Sequence, residues 1–286
     1  MKQTKYFFQF LIINFFFLIF KIFGYKISSE IGGKLFEIIG PLFRSKKLIR
    51  SNIKKAIPNV SSKNIETITK SMWNNYGRVF AEYMFIKDFR SGNLNSKITI
   101  EGQEILEEIK ILGSPVIFIS GHFSNFELMA MHIEKSGIKL SAIYRPLNNL
   151  FLNKIMEKIR IKYICKNQIK KGIGGIKKLI KLQKNNCSTA LMIDQRVSEG
   201  IKSNFFNHEA LTTTIPAQLV KKFNMPVVPI FIERVDNTSF KISIKKPIKF
   251  DKETSTKNIT DQLNKVLEMM IINKPDQWIW SHNRWK

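Results

Sequence analysis

Gly121-His122-Phe123-Ser124-Asn125-Phe126-Glu127 is the stretch of this chain best equipped for chemistry. An imidazole acts as a general base near neutral pH when a partner fixes its tautomer and offsets the charge it gains. A carboxylate five residues on can fold back across a turn to do this, so His122 with Glu127 is a candidate pair for removing a proton from a hydroxyl. Two plainer readings fit the same residues. Ser124 and Glu127 have the spacing of a capping box, in which Glu127 bonds the Ser124 N–H at a helix start, and His122 alone suits a hydrogen-bonded core histidine. Spacing does not choose among them.

The remaining reactive residues narrow the chemistry. His122, His132, His208 and His282 stand singly, without metal-ligand spacing, so no metal is expected. Cys165 and Cys187 are too few for a disulfide framework and lack an adjacent histidine, which reads as packing in a reduced compartment rather than as nucleophiles. Gly172-Ile173-Gly174-Gly175, between Lys170-Lys171 and Lys177-Lys178, has neither Walker nor dinucleotide spacing. It is a basic turn facing an anionic partner, or a solvated face. No cofactor is called for.

Several elements must position His122. The apolar run 115–119 suits a buried strand ending just before Ser120, and helix is expected over about 125–135. Further strands are expected near 98–101, 140–144, 189–193 and 227–233, with an edge strand at 240–244. Helices are expected over 103–112, 149–161, after Gly175, 216–223 and 260–273, and two or three helices precede the first strand, one capped by Ser62. Alternation of this kind predicts an α/β fold with a central, mostly parallel sheet flanked by helices. His122 then falls at the carboxyl end of a strand, where open sheets bind ligands.

Residues 6–20 are almost wholly apolar, broken only by Gln9 and Asn14 and flanked by lysines. Extended to Tyr25 the stretch approaches the length needed to cross a bilayer, and Gly24-Tyr25-Lys26-Ile27 lacks a signal-peptidase pattern. An N-terminal membrane anchor over 1–27 and one catalytic domain over 28–286 follow. Lys34, Arg44, Lys46, Lys47 and Arg50 place the body on the cytoplasmic side. With 47 Lys plus Arg against 22 Asp plus Glu, the net charge of +25 favours anionic partners. The cations are spread without a recognition helix, which argues against nucleic acid.

The His-x-x-x-x-Glu segment resembles the motif of glycerolipid-type acyltransferases, and its context is similar to the late acyltransferases of lipid A biosynthesis, the lauroyl and myristoyl acyltransferase family. Trp73-Asn74-Asn75-Tyr76-Gly77-Arg78 with Glu82, Tyr144-Arg145-Pro146, Asp194-Gln195-Arg196 with Gly200 and Phe205-Phe206, Leu211-Thr212, Pro226-Val227-Val228-Pro229 and the tail 277–285 resemble further blocks in order. Asn207 departs from the family's usual glycine, which touches only a local turn. The resemblance implies a glycerolipid-acyltransferase-like fold in the bacterial inner membrane. It also implies an acyl carrier protein as donor and a hydroxyl of an anionic lipid A precursor as acceptor. His122 and Glu127 would be catalytic and Arg145, Asp194 and Gln195 substrate-binding. Acylation of a lysophospholipid or another glycolipid from acyl-CoA is the alternative within the same chemistry. The terminal tryptophans are expected to pack on the body.

Overall fold

The computed structural model describes residues 2–286. Helix α1 (Lys2–Ile39) bends at Gly24, whose φ of 73° and ψ of 172° interrupt the helical path. It leads through a short turn to α2 (Lys46–Ala56), α3 (Ser62–Glu82) and α4 (Ile86–Ser91). Ser61, not Ser62, caps α3, its hydroxyl accepting from the Asn64 N–H at 3.1 Å. The sheet begins with β1 (Ile98–Glu101), followed by α5 (Gln103–Leu112), β2 (Ile117–Ser120), α6 (Glu127–Lys135) and β3 (Leu140–Tyr144). Next come α7 (Leu150–Ile159), a π-helical turn Arg160–Ile164, β4 (Asn167–Lys170), α8 (Ile173–Gln183) and β5 (Ser188–Met192). The hairpin β6 (Ile201–Phe205) and β7 (His208–Thr212) stands outside the main sheet, before α9 (Ile215–Phe223), β8 (Val227–Arg234), β9 (Phe240–Ile244) and α10 (Thr256–Asn273).

The seven main strands run in the order β1-β9-β8-β2-β5-β3-β4, and every pairing is parallel except β8 with β9. Helices flank this mostly parallel sheet, the α/β architecture that the alternation predicts. β2 lies at its centre, and Ile117, Phe118 and Ile119 are buried as expected for a strand covered on both faces. Two expectations need correction. β9 is not an edge strand, because β1 pairs with it from more than 130 residues upstream. Strands β4, β6 and β7 escape the sequence pattern because Lys170, Lys202, Asn204 and Glu209 break an apolar run, and the pairing partners supply what propensity does not.

Helix α1 continues past residue 27 and lies along α3. Ser28, Ser29, Gly32 and Gly33 are buried there, and a Cβ on Gly77 would run into the Gly32 carbonyl. Backbones this close require small residues. Gly77→Leu is therefore expected to wedge the helices apart, at a cost of about 1–3 kcal/mol. A fall in thermal midpoint and faster proteolysis near Gly24 would report it. By length and composition α1 is apolar enough to cross a membrane.

Candidate active site

Parallel pairing of β2 with β5 runs in a register of Ile117 with Thr189 through Ser120 with Met192. Two residues beyond the strand ends, the same offset sets His122 beside Asp194. The Ile193 N–H donates to the Ser120 carbonyl at 2.9 Å and continues the ladder to the brink of the site. There the His122 Nδ1 meets Asp194 Oδ1 at 2.8 Å, and the His122 backbone N–H donates to Asp194 Oδ2 at 2.7 Å. The Trp278 indole N–H donates to the same Oδ2 at 2.9 Å. Asp194 is fully buried, whereas the His122 side chain keeps 22% exposure and stands edge-on to the Phe126 ring at 4.8 Å.

Burial pushes the His122 imidazole down, but the Asp194 carboxylate, by charge and by hydrogen bond, outweighs it, and Glu127 adds a smaller pull. The group is thus held above its ordinary 6.5. Burial likewise acts to raise Asp194, yet the His122 charge and the three donors hold it below its ordinary 3.8. With Nδ1 donating to a carboxylate, Nε2 keeps its lone pair. The arrangement suits abstraction of a proton by Nε2, with Asp194 fixing the ring. Trp278→Phe keeps most of the buried ring and deletes one bond to the carboxylate. It is expected to lower stability by about 1.5–3 kcal/mol, read from the denaturant midpoint.

Glu127 does not bond His122. It opens α6, and its Oε1 accepts from Arg160 Nε at 2.8 Å and from Nη2 at 2.5 Å. The carboxylate that fixes the ring comes from the end of β5, because strand register brings it there while the turn at Ser124 carries Glu127 away. The capping box does not form either. Ser124 has φ of 41°, its N–H donates to the Gln277 carbonyl, and its hydroxyl caps nothing among the described residues. Arg160 was missed in the sequence, since it sits in a π-helical turn that no short pattern marks.

Arg145 stands exposed past β3, without an ion pair among the described residues, and Gln195 is half-buried beside Asp194. Asp194 spends both oxygens on His122 and Trp278. Cys165 is buried, and burial pushes its thiol up to about 12, which leaves it inert. Among the described residues no group of three or more His, Cys, Asp or Glu is placed to hold a metal.

Behind the site lies a buried ion pair. Glu82 accepts from Arg234 Nη1 at 2.5 Å and from Nη2 at 3.0 Å, from the Ser29 hydroxyl at 2.7 Å and from Asn125 Nδ2 at 3.1 Å. Asn125 thereby ties the His122 loop to α3, β8 and α1. The tail closes the other side, with Trp278, Trp280 and Arg284 fully buried and Arg284 donating to Thr212 Oγ1 at 2.7 Å. Packing, not a membrane interface, is what the terminal tryptophans do.

Two cavities open in the body. One of about 460 Å³ is walled by Ile143, Ile169, Ile176, Leu179, Val197 and Ile215, beyond the ends of β3 and β4. A polar one of about 670 Å³ lies between α3 and the β8–β9 turn; His122 borders neither, and by its lining the smaller, apolar cavity is the better suited to a hydrocarbon chain.

A carboxylate-fixed histidine at a strand end is equipment for general-base catalysis, and comparison with known proteins says of which kind. The model of the bacterial lipid A biosynthesis acyltransferases matches residues 1–286. A lipid A biosynthesis palmitoleoyltransferase of Escherichia coli (strain K12) is 20% identical over 273 residues, covering 92% of this chain and 86% of that one. A lipid A biosynthesis acyltransferase of Haemophilus influenzae is 22% identical over 269 residues, covering 92% and 85%. The chain belongs to the bacterial lipid A biosynthesis acyltransferase family and is an acyltransferase.

Proposed function

We propose that this enzyme moves a fatty acyl chain from an acyl carrier protein thioester to a hydroxyl of a lipid A precursor, with His122 as the general base. Nε2 takes the hydroxyl proton as the oxygen attacks the thioester carbonyl, and Asp194 offsets the charge the ring acquires. The Phe126 and Glu127 N–H groups at the start of α6, which donate to no backbone carbonyl among the described residues, receive the oxyanion. The intermediate collapses, the C–S bond breaks, and the carrier thiolate leaves with the proton from the imidazolium. Glu127, neutralised by Arg160, is a second carboxylate near the ring, and Arg145, exposed past β3, and Gln195, next to Asp194, contact the acceptor. The single observation that carries this reading is the His122–Asp194 hydrogen bond of 2.8 Å in a family of lipid A acyltransferases.

A basic surface supports an acidic carrier as donor. Lys46, Lys47, Arg50, Lys54 and Lys55 crowd α2, and none pairs with a carboxylate among the described residues. Asn52 on the same helix donates to the Trp280 and His282 carbonyls, both at 2.8 Å, so this basic surface adjoins the tail whose Trp278 holds Asp194. An acidic carrier protein complements it. The body would stand on the cytoplasmic side of the bacterial inner membrane. Membranes containing the protein, supplied with acyl carrier protein loaded with chains of different length and a lipid A precursor, should give a singly acylated product by mass spectrometry. Product from acyl-CoA or onto a lysophospholipid alone would reject the assignment.

A further inference from the structure

Helix α1 does not stand off from the body as a free anchor. Asn149 Nδ2 donates to the Tyr6 carbonyl at 2.8 Å, and Phe151 packs on Phe7 and Phe10 with ring centroids 5.6 and 5.8 Å apart. Fourteen residues further on, Phe17 and Phe20 are buried against Phe80 of α3. The body thus holds about 21 Å of this helix at both ends. A helix crossing the roughly 30 Å hydrocarbon layer while keeping those contacts would sink the body into the membrane.

The outward side of this helix, with Phe7, Phe8, Leu11, Ile12, Phe15 and Leu18, is exposed, and it does not end at α1. Leu147, Leu150 and Phe151 extend the apolar surface onto the loop after Arg145 and the first turn of α7. Leu150, Lys154, Lys158 and Lys162 then follow at steps of four along one side of α7 and the π-helical turn. An apolar tip succeeded by three exposed lysines, none paired with a carboxylate among the described residues, is the order in which a helix meets hydrocarbon and then anionic headgroups.

The geometry points to a two-element docking surface for one leaflet of an anionic bilayer. The apolar side of residues 7–18 lies in the leaflet, and Leu147, Leu150 and Phe151 dip in beside it, with Lys154, Lys158 and Lys162 at the phosphates. This goes beyond the proposed function, because it concerns how the body sits and not which bond is made. The β3–α7 loop, which carries Arg145, is then in contact with lipid, and an acceptor reaches the site without leaving its leaflet.

The test does not depend on turnover. Single variants Leu150→Cys, Leu147→Cys, Lys162→Cys and Lys252→Cys are labelled with an environment-sensitive fluorophore, Cys165 and Cys187 being buried. Full-length protein is reconstituted in phosphatidylglycerol-containing vesicles. Labels at 150 and 147 are expected to shift to the blue and to be quenched by spin labels on the acyl chains. A label at 162 is expected to be quenched by spin-labelled headgroups, and one at 252 by neither. Replacing Lys154 and Lys158 by Glu should reduce quenching at 150. Emission at 150 and 147 like that at 252 overturns the proposal. So does a blue shift without lipid quenching, which would mean a second copy covers the surface. Labelling of Lys2→Cys only from the side of sealed vesicles opposite the body would establish a span and overturn the single-leaflet placement.

Discussion

Asp194→Asn is expected to lower kcat by about 10³–10⁴-fold with the protein still folded, and His122→Ala to reduce turnover to background. The amide is nearly the same size as the carboxylate and can keep some of the contacts to the ring and the indole, but it carries no charge to balance an imidazolium. It also leaves the tautomer unset. The pH profile separates this role from a structural one. His122 must be neutral to act, and Asp194 holds it above 6.5, so kcat rises with pH through that raised value. In Asp194→Asn the rising limb moves to lower pH while the plateau drops. Glu127→Gln removes a weaker pull and should move the limb less, its main effect being an Arg160 cation left buried without its partner. A wild-type rate in Asp194→Asn, or a limb that stays in place, rules out Asp194 as the residue that orients the base.

Glu82→Ala should be the most destabilising single change away from the reacting atoms. Glu82 is wholly buried and Arg234 retains 7% side-chain exposure. Removing one partner strands the other charge in a low-dielectric interior, at about 3–5 kcal/mol. That is a large part of the 5–15 kcal/mol typical of a domain. It also releases the Asn125 side chain, which donates to Glu82 Oε2 on α3. Activity should therefore fall in the fraction that stays folded, because the His122 loop is no longer held. The denaturant midpoint gives the first effect and kcat per folded molecule the second. Glu82→Gln, which preserves the shape and some of the bonds, should fall between. An unchanged midpoint in Glu82→Ala would show that water already reaches the pair.

How far the sequence reaches is clear from particular residues. The apolar run ending at Ser120 announced a central strand because β2, covered on both faces, has no polar side to show. The ends of α5, β3 and β9 were legible from their flanking residues and apolar pattern, signals that act within a few positions. The position of His122 just past a strand end was legible too, from the length of that run. Its partner was not. Asp194 lies 72 residues away, and only the adjacency and register of β2 and β5 make the two neighbours. The nearer carboxylate, Glu127, satisfied every local rule and was turned toward Arg160 by a backbone bend at Ser124. Likewise an apolar N-terminal stretch is a property of the sequence, whereas its lying along α3, bound to Asn149 and Phe80, is settled by side chains that meet only after folding. Local chemistry and periodicity are written along the chain. Which charge faces which, and which apolar side is left exposed, depend on contacts between distant segments, and only the tertiary structure decides those.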